Sequence, residues 1–329
     1  MREKKPLLTF TLLTFLAALA LGACSSASGP SQAHSRAPST SLLARQKICG
    51  TRSSPPRTYR HVIWIWLENR SYDQVVGSGS APYMNRVLIP DCGLATDYHN
   101  VTHPSLPNYI AATSGLGYSS LKRFSSDCEP RGSCTTSAPS IFSQVRSWKA
   151  YEESMPTNCA KSNSGEYAAK HNPPPYYTSL TGCASRDVPY ARLGHDLRTN
   201  TLPAFSFITP NLCHDAHSCP LSAADSWLRT QIPKIVRSRA YRSGETVVFI
   251  TFDEGAEGFG SSDRCASNAG DPGCRVATIV ISPYTRPGTR SREPFNHYSL
   301  LRTTEQLLGE HRFLGEAAHA RSMRGAFGL

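Results

Sequence analysis

Glu68 with Asn69, and Asp253 with Glu254, place carboxylates where two apolar runs stop, far apart in the chain. Acidic pairs of this kind are most often solvated turns or helix N-caps. Two of them at equivalent points ask for another reading, because clustered carboxylates repel unless a cation lies among them. One hard divalent ion is the usual solution, and these residue types do not distinguish Mg, Ca, Mn or Zn. Between the pairs, Thr102-His-Pro-Ser-Leu-Pro-Asn-Tyr109 sets Ser105 at or beside a helix N-cap, with Pro107 in the first turn. An N-cap serine needs no further role. The same place also favours a phosphate, through backbone N–H groups and the helix dipole. A nearby cation would lower the pKa of the hydroxyl and make Ser105 a nucleophile. Asn108, one turn on, would then donate to a phosphoryl oxygen.

Among eleven histidines, His34, His311 and His319 lie in a tether and a charged tail and read as solvated. Asn211, His214, Asp215 and His217 share one short segment around Cys213 and Cys219. They are either polar turn residues of a disulfide loop or groups that serve a reaction. His297 precedes the helical pattern of residues 299–308, where it would be neutral and able to act as ligand or acid/base. His103 and His171 are candidates for substrate contacts, the latter at the substrate rim.

The elements that must position these groups are buried strands. His61-Val-Ile-Trp-Ile-Trp-Leu67 and Thr246-Val-Val-Phe-Ile-Thr-Phe252 are continuous apolar runs, as in a parallel sheet covered on both faces. A third run, residues 276–281, ends at Ser282-Pro283 without a carboxylate. In open α/β sheets the crevice lies at the carboxyl ends of the strands, which is where both acidic pairs fall.

Composition narrows the setting. The 329 residues are 39% hydrophobic and 18% charged, which excludes a polytopic membrane protein and a mostly disordered one. The net charge of +11 comes from dispersed arginines, with no basic helix or finger, so a nucleic-acid partner is not expected. Arg2, Lys4 and Lys5, an apolar stretch and Leu21-Gly-Ala-Cys24 read as a lipoprotein signal over residues 1–23. An ordinary cleaved signal or an uncleaved anchor is the alternative. Cys24 would carry the lipid and contact the membrane, residues 24–48 form a Ser/Pro/Ala-rich tether, and residues 49–329 form one catalytic domain. The protein is thus expected outside the cytoplasm, surface-anchored or released, and its oligomeric state is left open. Ten further cysteines make up to five disulfides. Proximity suggests 128–134, 213–219, 265–274, 159–183 and 49–92.

Together the segments Glu68-Asn-Arg-Ser71, Thr102–Tyr109, Ile208-Thr-Pro-Asn-Leu-Cys-His-Asp-Ala-His217, Thr251-Phe-Asp-Glu-Gly255 and His297-Tyr298 resemble the phosphoesterase family of bacterial secreted acid phosphatases and phospholipases C. The resemblance implies an alkaline-phosphatase-like three-layer α/β/α sandwich with a mostly parallel central sheet. It implies Ser105 as nucleophile and Glu68, Asn69, Asp253 and Glu254 as metal ligands. Asn211, Asp215, His217 and His297 match the second-metal positions of two-metal relatives, but Asn211 replaces an acid and Glu254 a histidine. One metal is therefore expected, with His217 or His297 serving the leaving group. The implied substrate is a small phosphate ester, a phospholipid or a phosphoinositide, cleaved as a monoester. A phospholipase-C-like phosphodiesterase and a non-catalytic anion-binding lipoprotein are the alternatives.

Overall fold

The computed structural model describes residues 47–255 and 274–329. The signal, Cys24, all of the tether but residues 47 and 48, and Cys265 lie outside the described residues. An eight-stranded sheet runs in the order β5-β4-β6-β1-β7-β8-β2-β9. The strands are β1 (His61–Leu67), β2 (Gly93–Ala95), β4 (Trp148–Glu152), β5 (Asp187–Pro189), β6 (Phe205–Thr209), β7 (Thr246–Phe252), β8 (Thr278–Ile281) and β9 (Thr289–Ser291). A separate pair joins β3 (Tyr98–His99) to β10 (Phe295–Asn296) in parallel. Within the large sheet, only β8 runs against the rest, antiparallel to both β7 and β2. The mostly parallel α/β architecture expected from the apolar runs is therefore present. The exception is the third run, whose start rather than its end shares the edge with Glu68 and Asp253.

β1 and β7 sit at the centre, paired in register from His61↔Thr246 to Leu67↔Phe252. Every residue of β7 is buried, as is all of β1 except His61, which is what continuous apolar runs require of a sheet covered on both sides. One face of β1 presents Trp64 and Trp66, two apart as a strand's period dictates. Trp64 Nε1 donates to Thr304 Oγ1 (2.9 Å) in the helix His297–Leu308, and the Trp66 ring lies 4.9 Å from Tyr109 in the helix Ser105–Ser114. These two helices press on the sheet where the acidic pairs emerge. The helix Leu221–Val236 contributes buried Leu228, Ile232 and Ile235 to the same core.

Four disulfides join described residues: Cys49–Cys92, Cys128–Cys134, Cys159–Cys183 and Cys213–Cys219. Cys274 is also disulfide-bonded. Gly255 marks a close approach there: a Cβ at this position would lie 2.2 Å from Cys274 Cβ and 2.6 Å from Ser71 Oγ. Only glycine lets the turn after Asp253-Glu254 tuck against that bridge. No described helix is long and apolar enough to cross a membrane.

Candidate active site

Glu68 follows β1 and Asp253 follows β7, so the parallel register brings the two pairs side by side. Asp253 N donates to Leu67 O (2.9 Å), and Asn69 N donates to Asp253 Oδ1 (3.3 Å). Asn69 takes a left-handed backbone (φ 23°), a conformation asparagine tolerates better than most residues. Its Nδ2 donates to Glu254 Oε1 (2.6 Å). The helix Ser105–Ser114 starts directly over this edge. Pro104 is its N-cap and Ser105 its first residue. The buried Ser105 Oγ donates to Glu68 Oε2 (3.0 Å) and lies 3.4 Å from Glu254 Oε1.

The other oxygens of these carboxylates are held from behind. Tyr109 OH, one turn along the same helix, donates to Glu68 Oε1 (2.5 Å). His171 is wedged between Glu68 Oε1 (3.1 Å) and Asp215 Oδ2 (3.4 Å), its ring stacked on Tyr109. Its Nε2 makes no aligned hydrogen bond, so the attraction to Glu68 is chiefly that of charge. Burial by itself would raise Glu68, but the His171 charge and the converging hydrogen bonds hold it down to about 2. Burial likewise works against the imidazolium, yet Glu68 and Asp215 carry His171 up to about 9. His103 Nδ1 pairs with Glu254 Oε2 (2.7 Å). Asp253 is pushed well above the carboxylate range, first by burial and then by the charges of Glu68 and Glu254.

Asn69 Oδ1, Asp253 Oδ2 and Asp215 Oδ2 are buried acceptors without a hydrogen-bond partner. Orphaned acceptors of this kind are costly and rare. With Glu68 and Glu254, Asn69 and Asp253 offer oxygen donors of the kind a hard divalent cation takes, although the carboxylate oxygens of Glu68, Asp253 and Glu254 do not all lie within 4.8 Å of one another. A tighter grouping, Cys159, Cys183 and Asp187 with ligand atoms within 4.8 Å of one another, lies elsewhere. Its sulfurs are joined as a disulfide and offer no thiolate.

Several residues stand differently from the sequence reading. Asn108 is fully buried, accepting from Val101 N and Thr102 N (both 3.0 Å) and donating to Thr102 O (2.7 Å). It clamps the loop before Ser105, and its amide also reaches Glu254 Oε2 (3.4 Å) at the site. His171 is not at the rim but 2% exposed behind Glu68. Both nitrogens of His297 are engaged, Nε2 with Asp253 O (2.5 Å) and Nδ1 with Tyr98 OH (3.0 Å). Burial pushes His297 down to about 4, so a neutral ring supports the Asp253 turn from inside the core. Asn211 Oδ1 accepts from Cys213 N and His214 N, and His214 Nδ1 pairs with Glu153 Oε2 (2.9 Å), so both structure the disulfide loop. His217 stays at the edge, its ring 5.7 Å from that of His171, and is lowered by burial and by His171's charge.

Three participants have no role assigned from the sequence, although Tyr109 closes the Thr102–Tyr109 segment. Asp127 Oδ1 accepts from Leu106 N (2.9 Å), occupying one of the helix N–H groups expected to face a phosphate. Its Oδ2 pairs with Lys170 (2.8 Å), the cation next to His171 in sequence. Tyr109 is the third. Of these, Tyr109 lies within a segment the sequence singles out and Lys170 adjoins His171.

The Phosphoesterase family model matches residues 80–309, a stretch that contains Ser105, His171, Asp253 and Glu254 and begins after Glu68. The chain belongs to that family. It is 26% identical over 262 residues to a phosphatidylinositol-3-phosphatase of Mycobacterium tuberculosis, covering 79% of this chain and 80% of that one. To a phosphate-repressible acid phosphatase of Penicillium chrysogenum it is 28% identical, covering 74% of this chain and 60% of the other. It thus spans most of the mycobacterial relative but three-fifths of the fungal one. Among solved structures it resembles a protein in the alkaline phosphatase superfamily from Vibrio parahaemolyticus, with a TM-score of 0.53 at 14% identity over 86% of this chain and 76% of that one. That likeness is one of fold.

Proposed function

We propose that this phosphoesterase is an extracytoplasmic phosphomonoesterase in which Ser105 is the nucleophile and Glu68, Asn69, Asp253 and Glu254 hold one divalent metal ion. One observation carries the reading: a buried serine hydroxyl 3.0 Å from Glu68 Oε2, beside the orphaned Asn69 Oδ1 and Asp253 Oδ2. Relatives named as acid phosphatase and phosphatidylinositol-3-phosphatase support a phosphate monoester as substrate. The four disulfides suit an oxidising compartment, as an exported protein requires.

An ion held by Glu68, Asn69, Asp253 and Glu254 would supply Lewis acidity to a phosphoryl oxygen and would lower the pKa of the serine hydroxyl. Ser105 Oγ, oriented by its hydrogen bond to Glu68 Oε2, attacks phosphorus in line and releases its proton to water. The Oγ–P bond forms as the ester P–O bond breaks, and the leaving alkoxide takes its proton from a water molecule on the His217 side. Water then attacks phosphoserine, releasing inorganic phosphate and restoring the hydroxyl. His171 and Tyr109 keep Glu68 Oε1 occupied, which leaves Oε2 to Ser105. Lys170, near enough to Glu68 and Asp253 to be raised by them, adds positive potential where the phosphoryl charge develops.

Steady-state hydrolysis of a chromogenic phosphomonoester by wild type and Ser105→Ala tests the assignment; a variant of near-wild-type rate would end it. Phosphocholine release from phosphatidylcholine faster than phosphate release from the monoester would turn the reading to a phosphodiesterase.

A further inference from the structure

A cleft of about 550 Å³ opens at the sheet edge beside the site, lined by Tyr72, Thr96, Asp97, Arg275, Arg290 and Arg292. It is built from strand geometry. β9 lies parallel to β2, with Leu94 opposite Arg290, and Thr96 donates through both N and Oγ1 to Ser291 O (2.8 Å each). Ser291 is buried between two exposed arginines. Alternation therefore sends Arg290 and Arg292 to one face, about 7 Å apart along the chain. Among the described residues neither guanidinium has a hydrogen-bond or ion-pair partner. Arg275 faces them with its guanidinium 4.2 Å from the Tyr72 ring and Nη1 donating to Thr96 O (3.4 Å).

Among the described residues, two nearby carboxylates are engaged elsewhere. Asp97 is turned to His99 (2.9 Å), and Glu293 is paired with Arg321 (3.1 Å). The cleft also adjoins the reacting groups. Arg275 follows Cys274, whose sulfur lies 3.6 Å from His103 Nε2, and Arg275 O accepts from Tyr72 N (2.7 Å), just past Glu68–Ser71. The guanidiniums of Arg290 and Arg292 are suited to phosphate oxygens, which such groups bind in bidentate fashion.

We propose that this cleft is a second oxyanion subsite, holding a phosphate group of the substrate other than the one hydrolysed. It rests on the phosphomonoesterase reading and deepens it: esters carrying two phosphates are preferred over those carrying one. The second phosphate comes from a soluble bisphosphate or from a lipid headgroup, and the chemistry is the same for both.

The test is Arg290→Gln/Arg292→Gln in the full chain, assayed on fructose 1,6-bisphosphate, on fructose 6-phosphate and on phosphatidylinositol 4,5-bisphosphate in phosphatidylcholine vesicles. The KM for a doubly phosphorylated substrate rises about tenfold, the loss expected of charge-assisted phosphate contacts, while fructose 6-phosphate kinetics stay within about twofold. A selective rise with the soluble bisphosphate or with the vesicles supports the subsite and identifies the source. An unchanged KM for both, or an equal loss on the monophosphate, overturns it. Equilibrium dialysis of fructose 1,6-bisphosphate against Ser105→Ala, with and without the arginine substitutions, keeps the two claims apart. Arginine-dependent binding by a protein whose wild type hydrolyses no ester would sink the activity and leave the subsite standing.

Discussion

Two groups of buried carboxylates lie at the same edge of one sheet in different surroundings, and only the first holds a carboxylate, Glu68, that is lowered. Glu68, Asp215, Asp253 and Glu254 face His171, His103, the hydroxyls of Ser105 and Tyr109, and orphaned acceptors. Glu152, at the end of β4, and Asp187, at the start of β5, meet only neutral donors: Thr209 Oγ1 (3.4 Å) for Glu152 and Asn172 Nδ2 (2.8 Å) for Asp187. Burial accordingly pushes Glu152 well above the carboxylate range and Asp187 up to about 7, so this pair keeps a proton at neutral pH. Thr209 stands between the groups, its hydroxyl also reaching His171 O (3.1 Å). A carboxylate at a strand end is therefore not in itself a site. Histidine partners and a reactive hydroxyl set the first group apart, since burial raises Asp253 there as it raises Glu152.

The largest expected effect separates the groups by chemistry. Ser105→Ala should lower kcat on a chromogenic phosphomonoester by about a thousandfold or more, with its melting temperature little changed. Next, Asp253→Asn should cost roughly a hundredfold in kcat/KM, whereas Glu152→Gln, its counterpart in the protonated pair, should stay within about twofold. Equal losses in both would erase the distinction. Chelation should abolish wild-type turnover, and titration with Mg, Ca, Mn and Zn salts should restore it in wild type but not in Asp253→Asn. Indifference to both treatments would point to a site that works without metal.

The smallest effect is one of stability. Asp187 has a raised native pKa, so the native state binds more protons than the unfolded chain between about pH 4 and pH 7. Its contribution is full below the unfolded value and is lost as pH rises through about 7. Thermal unfolding should show Asp187→Asn with a flatter pH dependence across that window, and no such flattening would mean the carboxyl is ionised as folded.

Much of this was legible residue by residue. The runs ending at Leu67 and Phe252 are strands with those ends, and Ser105 opens a helix, because period and proline placement are local properties. Asp127 was not legible: it sits in a turn with no motif, and its meeting with Leu106 N depends on how a distant loop closes. His171 was misplaced in depth for the same reason, and the inward direction of His297, read only as a neutral ring, was not legible either. A histidine beside a helix start or a proline reads alike whether it faces solvent or, like His297, a backbone carbonyl 44 residues away.

The amino-acid sequence by itself determined which segments must be buried, where they stop, and hence that Glu68, Asp253 and Ser105 lie at element ends. Burial of apolar runs follows from composition and period alone. Only the tertiary structure decided which carboxylate met a cation and which kept a proton, and that β8 would run backwards and bring Arg275 to the site's edge. Those outcomes depend on strand register and on charges far apart in the chain, and a pKa or an ion site belongs to the set of groups that converge rather than to any one of them.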